Sequence, residues 1–220
     1  MPLYGNTNFY LRSYEIGNKK ALLDREKNVI IEGDDILDIY TLAECNRYII
    51  IKKSDGILVY YTSMNKFIGQ NTTYPIFNVS FVLPKEGLIC FMVETGANTS
   101  AFSLYDTDND TEIPGCSNAS KIERIGNNSK YIAVTQSINR RGIVRIFDCD
   151  EHRFLEEPKN INNISFYFFG LIFCNVWYGD QIGCNIFDMN TEKWLIEPDI
   201  AQKGLKFDYR YLSSEGVVEL

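Results

Sequence analysis

The sequence predicts an all-β repeat fold, and three observations predict it. A phrase recurs in which an apolar residue and an aromatic precede Asp, followed by a short polar turn and an apolar strand that often runs into Pro. It reads Leu104-Tyr105-Asp106, Ile146-Phe147-Asp148 and Ile186-Phe187-Asp188, with Leu22-Leu23-Asp24 and Val59-Tyr60-Tyr61 as looser copies. The anchors Asp24, Tyr61, Asp106, Asp148 and Asp188 stand 37, 45, 42 and 40 residues apart, the spacing of one four-stranded propeller blade. Hydrophobic residues make up 45% of the chain and aromatics 14%, with 14 Tyr and 14 Phe, a composition suited to strands that bury at least one face. Together these predict a single domain over residues 1–220, a five-bladed β-propeller with one composite blade closed by both chain termini.

Each unit parses into four strands, the first nearest the axis and the fourth outermost. First strands are expected at Ile36–Leu42, Ile76–Leu83, Ala119–Ile125, Ile161–Phe168 and Leu205–Leu212. Second strands follow at Tyr48–Lys52, Leu88–Glu94, Tyr131–Gln136, Leu171–Trp177 and Val217–Leu220. Third strands end on the aromatic–Asp phrase, as in Gly142–Asp148 and Gly183–Asp188, and fourth strands fall at Val29–Glu32, Lys66–Ile68, Thr111–Ile113, Arg153–Leu155 and Lys193–Ile196. Asp55-Gly56 is a two-residue hairpin signal, and Gly87 supplies a positive-φ position between first and second strands.

The termini are expected to share a blade. Asn8–Glu15, Lys19–Asp24 and Val29–Glu32 form its outer portion, while Leu205–Leu212 and Val217–Leu220 complete it. Such closure removes two exposed sheet edges. A fragment of a larger propeller is the competing account of the same ends.

Charge and composition narrow the function. A net charge of −7 and a pI near 4.9 repel phosphate backbones and favour a basic partner. The basic pairs Lys19-Lys20, Lys52-Lys53 and Arg140-Arg141 are isolated in sequence, so no nucleic-acid groove is expected. The amino-terminal residues lack the pattern of a secretory signal, and no stretch reaches the about 18 apolar residues of a membrane helix. A cytoplasmic protein without membrane contact is the expectation. Six cysteines, at 45, 90, 116, 149, 174 and 184, show no metal spacing and read as free buried thiols, with Cys174 and Cys184 able to face each other across one hairpin. Seven N-x-[ST] sequences, at Asn71, Asn78, Asn98, Asn109, Asn118, Asn127 and Asn163, read as turn chemistry.

Motifs for catalysis are sparse. Asp106-x-Asp108-x-Asp110-x-Glu112 has alternate carboxylates like a calcium loop, but Thr111 and Ser117 stand where that loop needs Gly and Glu. The D-x-[DN] pattern recurs at Asp148/Asp150 and Asp188/Asn190, which points to side-chain capping of turns. His152 is the only histidine and sits in a polar turn. Asp38 and Asp208, both on expected first strands, are the carboxylate pair near the axis suited to glycoside hydrolysis. No enzyme activity, cofactor or metal is expected.

Ile186-Phe187-Asp188-Met189-Asn190-Thr191-Glu192-Lys193-Trp194 and Ile146-Phe147-Asp148-Cys149-Asp150 resemble the third-strand ending of WD40-like repeats. Lys193–Pro198 and Arg153–Pro158 resemble the ends of WG-type β repeats. The Gly-His dipeptide is missing from every unit and Trp-Asp occurs nowhere, so the WD40 hydrogen-bond network is not carried over. The resemblance implies a rigid platform for partners.

Two functions follow. The first is a protein-interaction module or scaffold, including an inhibitor or immunity-type binder of a basic partner; the alternative is a lectin-like carbohydrate-binding propeller. Equivalent hairpins carry unrelated residues, namely Gly96-Ala97-Asn98-Thr99, Ile138-Asn139-Arg140-Arg141 and Tyr178-Gly179-Asp180-Gln181. A repeated frame with divergent loops favours one asymmetric face for a macromolecule. The candidate binding residues are Trp177, Tyr178, Asp180, Arg140, Arg141 and Asn98.

Overall fold

Because side chains alternate across a strand, a strand whose consecutive residues are all apolar must be covered on both faces. Tyr48-Ile49-Ile50-Ile51 is such a run, and all four residues are wholly buried. Tyr48 and Ile50 pack in one cluster with Val59, Ile89, Phe91 and Tyr105. Ile49 and Ile51 pack in another with Phe9, Leu22, Ile36 and Tyr60. The alternation places one sheet between two others.

The computed structural model describes residues 2–3, 6–14, 18–42, 45–83, 85–96, 99–126 and 130–196. Its regular elements are all β-strands, arranged as four-stranded antiparallel meanders, the unit of a propeller blade. The first sheet holds β1 (Pro2–Leu3), β2 (Asn6–Ser13), β3 (Lys20–Leu23) and β4 (Val29–Gly33) in that order. The second holds β5 (Ile36–Leu42), β6 (Cys45–Lys53), β7 (Gly56–Tyr61) and β8 (Lys66–Ile68). The third holds β9 (Ile76–Leu83), β10 (Leu88–Gly96), β11 (Thr99–Asp106) and β12 (Thr111–Glu112). Two further meanders follow: β13 (Lys121–Arg124), β14 (Tyr131–Ile138), β15 (Arg141–Asp148) and β16 (Arg153–Phe154), then β17 (Ile161–Phe168), β18 (Leu171–Tyr178), β19 (Gln181–Asp188) and β20 (Lys193–Trp194). The pair Val144↔Ile161 joins these two into one eight-stranded sheet. The chain divides into two compact units, Met1–Ile122 and Glu123–Leu220. Among the described residues no helix is long and apolar enough to cross a membrane.

The recurring phrase marks equivalent places. Asp106, Asp148 and Asp188 each end a third strand opposite the first residue of the second, at Leu88, Tyr131 and Leu171; Tyr61 ends β7 opposite Tyr48, which lies inside β6. The next residue then donates its backbone N–H across the hairpin, Thr62 to Arg47, Thr107 to Gly87, Cys149 to Lys130 and Met189 to Gly170, each at 2.8 Å. The carboxylates cap the following turn as the D-x-[DN] pattern predicts. Asp106 Oδ1 accepts from the N–H groups of Asp108 (3.0 Å) and Asn109 (2.9 Å). Asp148 Oδ1 accepts from those of Asp150 (3.0 Å) and Glu151 (3.1 Å), and Lys130 Nζ reaches its Oδ2 at 3.1 Å. Asp188 Oδ1 accepts from Asn190 N at 2.8 Å.

The first unit is stitched through one of these turns. Tyr48 Oη meets Thr107 Oγ1 at 3.0 Å, and Tyr61 Oη donates to Asp108 Oδ1 at 3.0 Å. Lys66 pairs with Asp110 at 3.5 Å. Gly87 sits beneath the turn with φ +65, where a Cβ would stand 2.7 Å from Asp108 Oδ2. In the second unit, Ala133, Val144, Ile146, Leu155, Ile161, Ile172, Cys174, Val176, Phe187 and Met189 form the core.

Several sequence expectations are corrected. Gly56 opens β7, so the turn is centred on Ser54-Asp55, one residue earlier than expected. Asn78 and Asn163 lie in the first strands β9 and β17 rather than in turns. Both follow a bulge: the register skips the residue between Ile36 and Asp38, Ile76 and Asn78, and Ile161 and Asn163. A bulge disturbs the ladder, and the Asx side chain takes up a neighbouring N–H, as Asp38 does for Ile39 and Asn78 for Val79, both at 2.9 Å. Cys174 pairs with Asn185 and Cys184 with Asn175, so the two thiols point to opposite faces and do not meet. All six cysteines are free and buried. The first-strand position of the first sheet is held by Pro2–Leu3; residues 205–212 and 217–220, expected as the first and second strands of that blade, lie outside the described residues.

Two outcomes are expected. Asp106→Ala should cost about 2 to 3 kcal/mol and Asp188→Ala about 1 kcal/mol, because the buried Asp106 caps two backbone N–H groups and Asp188 one; equal urea midpoints for the two variants would contradict the capping account. Burial pushes Tyr48 up to about 12 from 10.0, so the stability tied to its proton is complete below pH 10 and is lost as pH rises toward 12. Denaturant titrations across that window should show a shallower decline for Tyr48→Phe than for the wild type.

Candidate functional site

Two hairpin ends of the second unit carry five of the six candidate residues. The β14–β15 turn is Asn139-Arg140, both with positive φ (52° and 65°), the primed geometry that matches strand twist. Asn tolerates this region, but Arg gains nothing there locally. The β18–β19 turn is Gly179-Asp180, with φ 61° at Gly179.

Arg141 ties the two ends together. Its Nη1 donates to Gly179 O at 2.8 Å, its Nη2 bonds Asp180 Oδ1, and its guanidinium lies 4.8 Å from the Trp177 ring centroid. Trp177 Nε1 donates to Gly142 O at 3.3 Å. Stacking, an ion pair and a bond to a carbonyl thus converge on one planar cation, the geometry for which Arg is suited and Lys is not. Asp180 remains 93% exposed in its side chain, so the ion pair itself is screened and weak. Ile138 and Ile182, which pair with Arg141 and Trp177 across their hairpins, are 46% and 43% exposed. Arg140 is exposed at the turn. The result is a ledge of Trp and Arg flanked by two exposed isoleucines.

The candidates fall into separate groups. Trp177, Arg141 and Asp180 are brought together, and Arg140 stands beside them in the chain. Tyr178 has a structural role instead. It packs against the unit's core and its Oη accepts from Asn185 Nδ2 at 3.2 Å, with burial raising its pKa. Asn185 is itself wholly buried. Asn98 lies outside the described residues. Ile138 and Ile182 are not among the sequence candidates, although Ile138 is an apolar residue directly beside a two-residue turn and Ile182 stands one residue beyond another.

Other motifs resolve into structure. Asp108 bonds Tyr61, Asp110 accepts from Tyr105 Oη at 2.8 Å, and Glu112 accepts from Thr73 and Ser103, so the calcium-like segment commits its carboxylates to the fold. Among the described residues no group of carboxylates, thiols and histidine could hold a metal ion. His152 sits in a turn with φ 51° near Phe147. Asp208, the expected partner of Asp38, lies outside the described residues.

No protein-family model matches the sequence, and no curated protein matches it. Among solved structures, TolB from Acinetobacter baumannii is similar at 14% identity and a TM-score of 0.33, over 84% of this chain and 50% of that one. TolB from Agrobacterium tumefaciens is similar at 10% identity and a TM-score of 0.35, over 76% of this chain and 63% of that one. The N-terminal domain of Nup159 is similar at 8% identity and a TM-score of 0.37, over 84% of this chain and 56% of that one. This chain thus spans about half to two thirds of their length. At such identities and scores nothing is carried from these proteins to this chain.

The ledge yields its own test. In a double-mutant cycle, Arg141→Ala and Trp177→Ala should couple by about 0.5 to 1 kcal/mol, whereas Arg141→Ala and Asp180→Ala should couple by less, because Asp180 is almost fully solvated. A larger coupling to Asp180 would show that the ion pair, not the stack, holds the hairpins.

Proposed function

We propose that this protein is a non-catalytic protein-interaction module that meets its partner through the Arg141–Trp177 ledge. The single observation that carries the reading is that one guanidinium joins two hairpin ends and holds a Trp face between two exposed isoleucines. Trp and Arg are the residues enriched at the energetic centres of protein interfaces, and a surface ordered in advance loses less entropy on binding. The unusual φ of Arg140 fits a turn shaped for contact rather than for local stability. The net charge of −7 favours a basic partner by steering its approach, and an inhibitor of such a partner is one form of this role. We place the protein in the cytoplasm, where its six buried thiols would stay reduced.

The full five-bladed ring belongs to the same proposal. β1 has only two residues, and its register with β2 runs no further than Tyr10, whereas β2 continues to Ser13. A strand from residues 205–212 would extend that side of the sheet and cover its edge.

Affinity capture from lysate of the source organism, run side by side with wild type and an Ile138→Asp/Ile182→Asp variant, tests the interaction. One basic protein that is captured by the wild type and lost with the variant supports the proposal. Equal capture by both proteins removes the ledge from it, and elution by free sugar installs the lectin reading in its place. Deleting residues 204–220 should abolish a single cooperative melting transition; an unchanged transition would overturn the shared blade.

A further inference from the structure

A groove in the first unit, between its first and second sheets, has a volume of about 780 Å³. That is the size of a small-molecule site. Its floor is aromatic and rigid. Tyr60 is 5% exposed, with its ring packed edge-on against Phe9 at 5.9 Å and Phe67 at 5.2 Å. Its hydroxyl donates to Asn65 Oδ1 at 3.4 Å.

The wall is polar, and its charge runs opposite to that of the molecule. In a chain whose acids exceed its bases by seven, the groove is lined by two arginines, Arg25 and Arg47, and one acid, Asp24. That carboxylate is already committed: Oδ1 accepts from Asn28 N at 2.8 Å and Oδ2 from Asn28 Nδ2 at 2.9 Å. Its pKa lies below the usual carboxylate range, first because of the Asn28 side chain, so at neutral pH it is a capping anion that neither takes nor gives a proton. Asn8, Asn46 and Asn65 add amides. Thr62 Oγ1 donates to Arg47 O at 3.0 Å, which fixes the β7–β8 turn against the backbone from which Arg47 projects.

Two arginines and three asparagines lining a groove with an apolar floor suit a planar or tetrahedral oxyanion. A neutral sugar fits less well, because the floor aromatics are buried and offer no open face for stacking. We propose that this groove binds a small oxyanion-bearing molecule, a carboxylate or a phosphate, between Arg25 and Arg47. The site belongs to the first unit and does not depend on the Arg141–Trp177 ledge or on the partner proposed for it.

The test is isothermal titration of the full chain with citrate, with inorganic phosphate and with neutral glucose. Saturable binding of citrate alone assigns a carboxylate ligand, binding of phosphate alone assigns a phosphoryl ligand, and binding of both assigns the shared oxyanion chemistry; each supports the proposal when Arg25→Gln/Arg47→Gln weakens it about tenfold or more. Both arginines are exposed, so the melting curve should move little. Should the double variant melt early, Arg25→Gln alone serves as the second probe, with a smaller loss of the same kind expected. Binding of neither anion, binding that the substitutions leave unchanged, or glucose bound as tightly as the anions would each overturn the proposal.

Discussion

The carboxylate at the end of the third strand is the constraint on which the rest of the structure depends. A four-stranded meander must reverse direction three times, and each reversal leaves backbone N–H groups outside the ladder. At the third-to-fourth reversal Asp106, Asp148 and Asp188 accept those groups. The turn that results is ordered enough to serve a second purpose. In the first unit it presents Thr107 and Asp108 to the hydroxyls of Tyr48 and Tyr61, two aromatics whose rings lie in the core. A buried phenol without such a partner would carry the cost of an unmade hydrogen bond. The cap therefore lets tyrosine stand where only an apolar ring would otherwise be tolerated.

This use of acids also explains why the charge of the chain says little about its chemistry. Alternate carboxylates in a short loop look like a cation site, yet Asp106, Asp108, Asp110 and Glu112 each have a partner within the fold. The same holds at Asp24, bound at both oxygens by Asn28. The surfaces suited to binding are then more cationic and aromatic than the composition suggests: Arg141 on Trp177, and Arg25 with Arg47 above Tyr60. The overall field and the local contact surfaces have opposite sign, which separates steering from recognition.

Strand order within the four later meanders and the third-strand anchors Tyr61, Asp106, Asp148 and Asp188 were legible because period-two patterning and the aromatic–Asp phrase repeat with the backbone, whereas Asp24 falls one residue past β3. β5, β8, β9 and β17 have the bounds the sequence predicts. The bulges were missed, although their signal was present: Ile36-Leu37-Asp38, Ile76-Phe77-Asn78 and Ile161-Asn162-Asn163 repeat an Ile-x-Asx pattern at the start of first strands. A bulge shifts the alternation by one, so two successive residues face outward after a buried isoleucine: Leu37 with Asp38 after Ile36, and Phe77 with Asn78 after Ile76. The site was half legible. Trp177, Arg141 and Asp180 stood out by type, but their union depends on two hairpins 38 residues apart in sequence ending side by side. Tyr178 misled because adjacent strand residues face opposite ways, and its neighbour Trp177 took the outward one.

The ledge and the groove differ in how they would achieve specificity. At the ledge the guanidinium of Arg141 is already engaged by Gly179, Asp180 and Trp177, so a partner gains little by adding hydrogen bonds to it. Its gain comes from covering the apolar flanks, Ile138 and Ile182, against a surface that does not have to rearrange. In the groove the apolar floor is already covered by its own packing, and Arg25 and Arg47 line the exposed wall. Recognition there rests on charge and on the fixed fork of a guanidinium, and falls steeply with salt, whereas contact at the ledge rests on buried area and is far less sensitive to salt. Ionic strength therefore separates the two sites physically, because one recognises by charge at the surface and the other by apolar area removed from water.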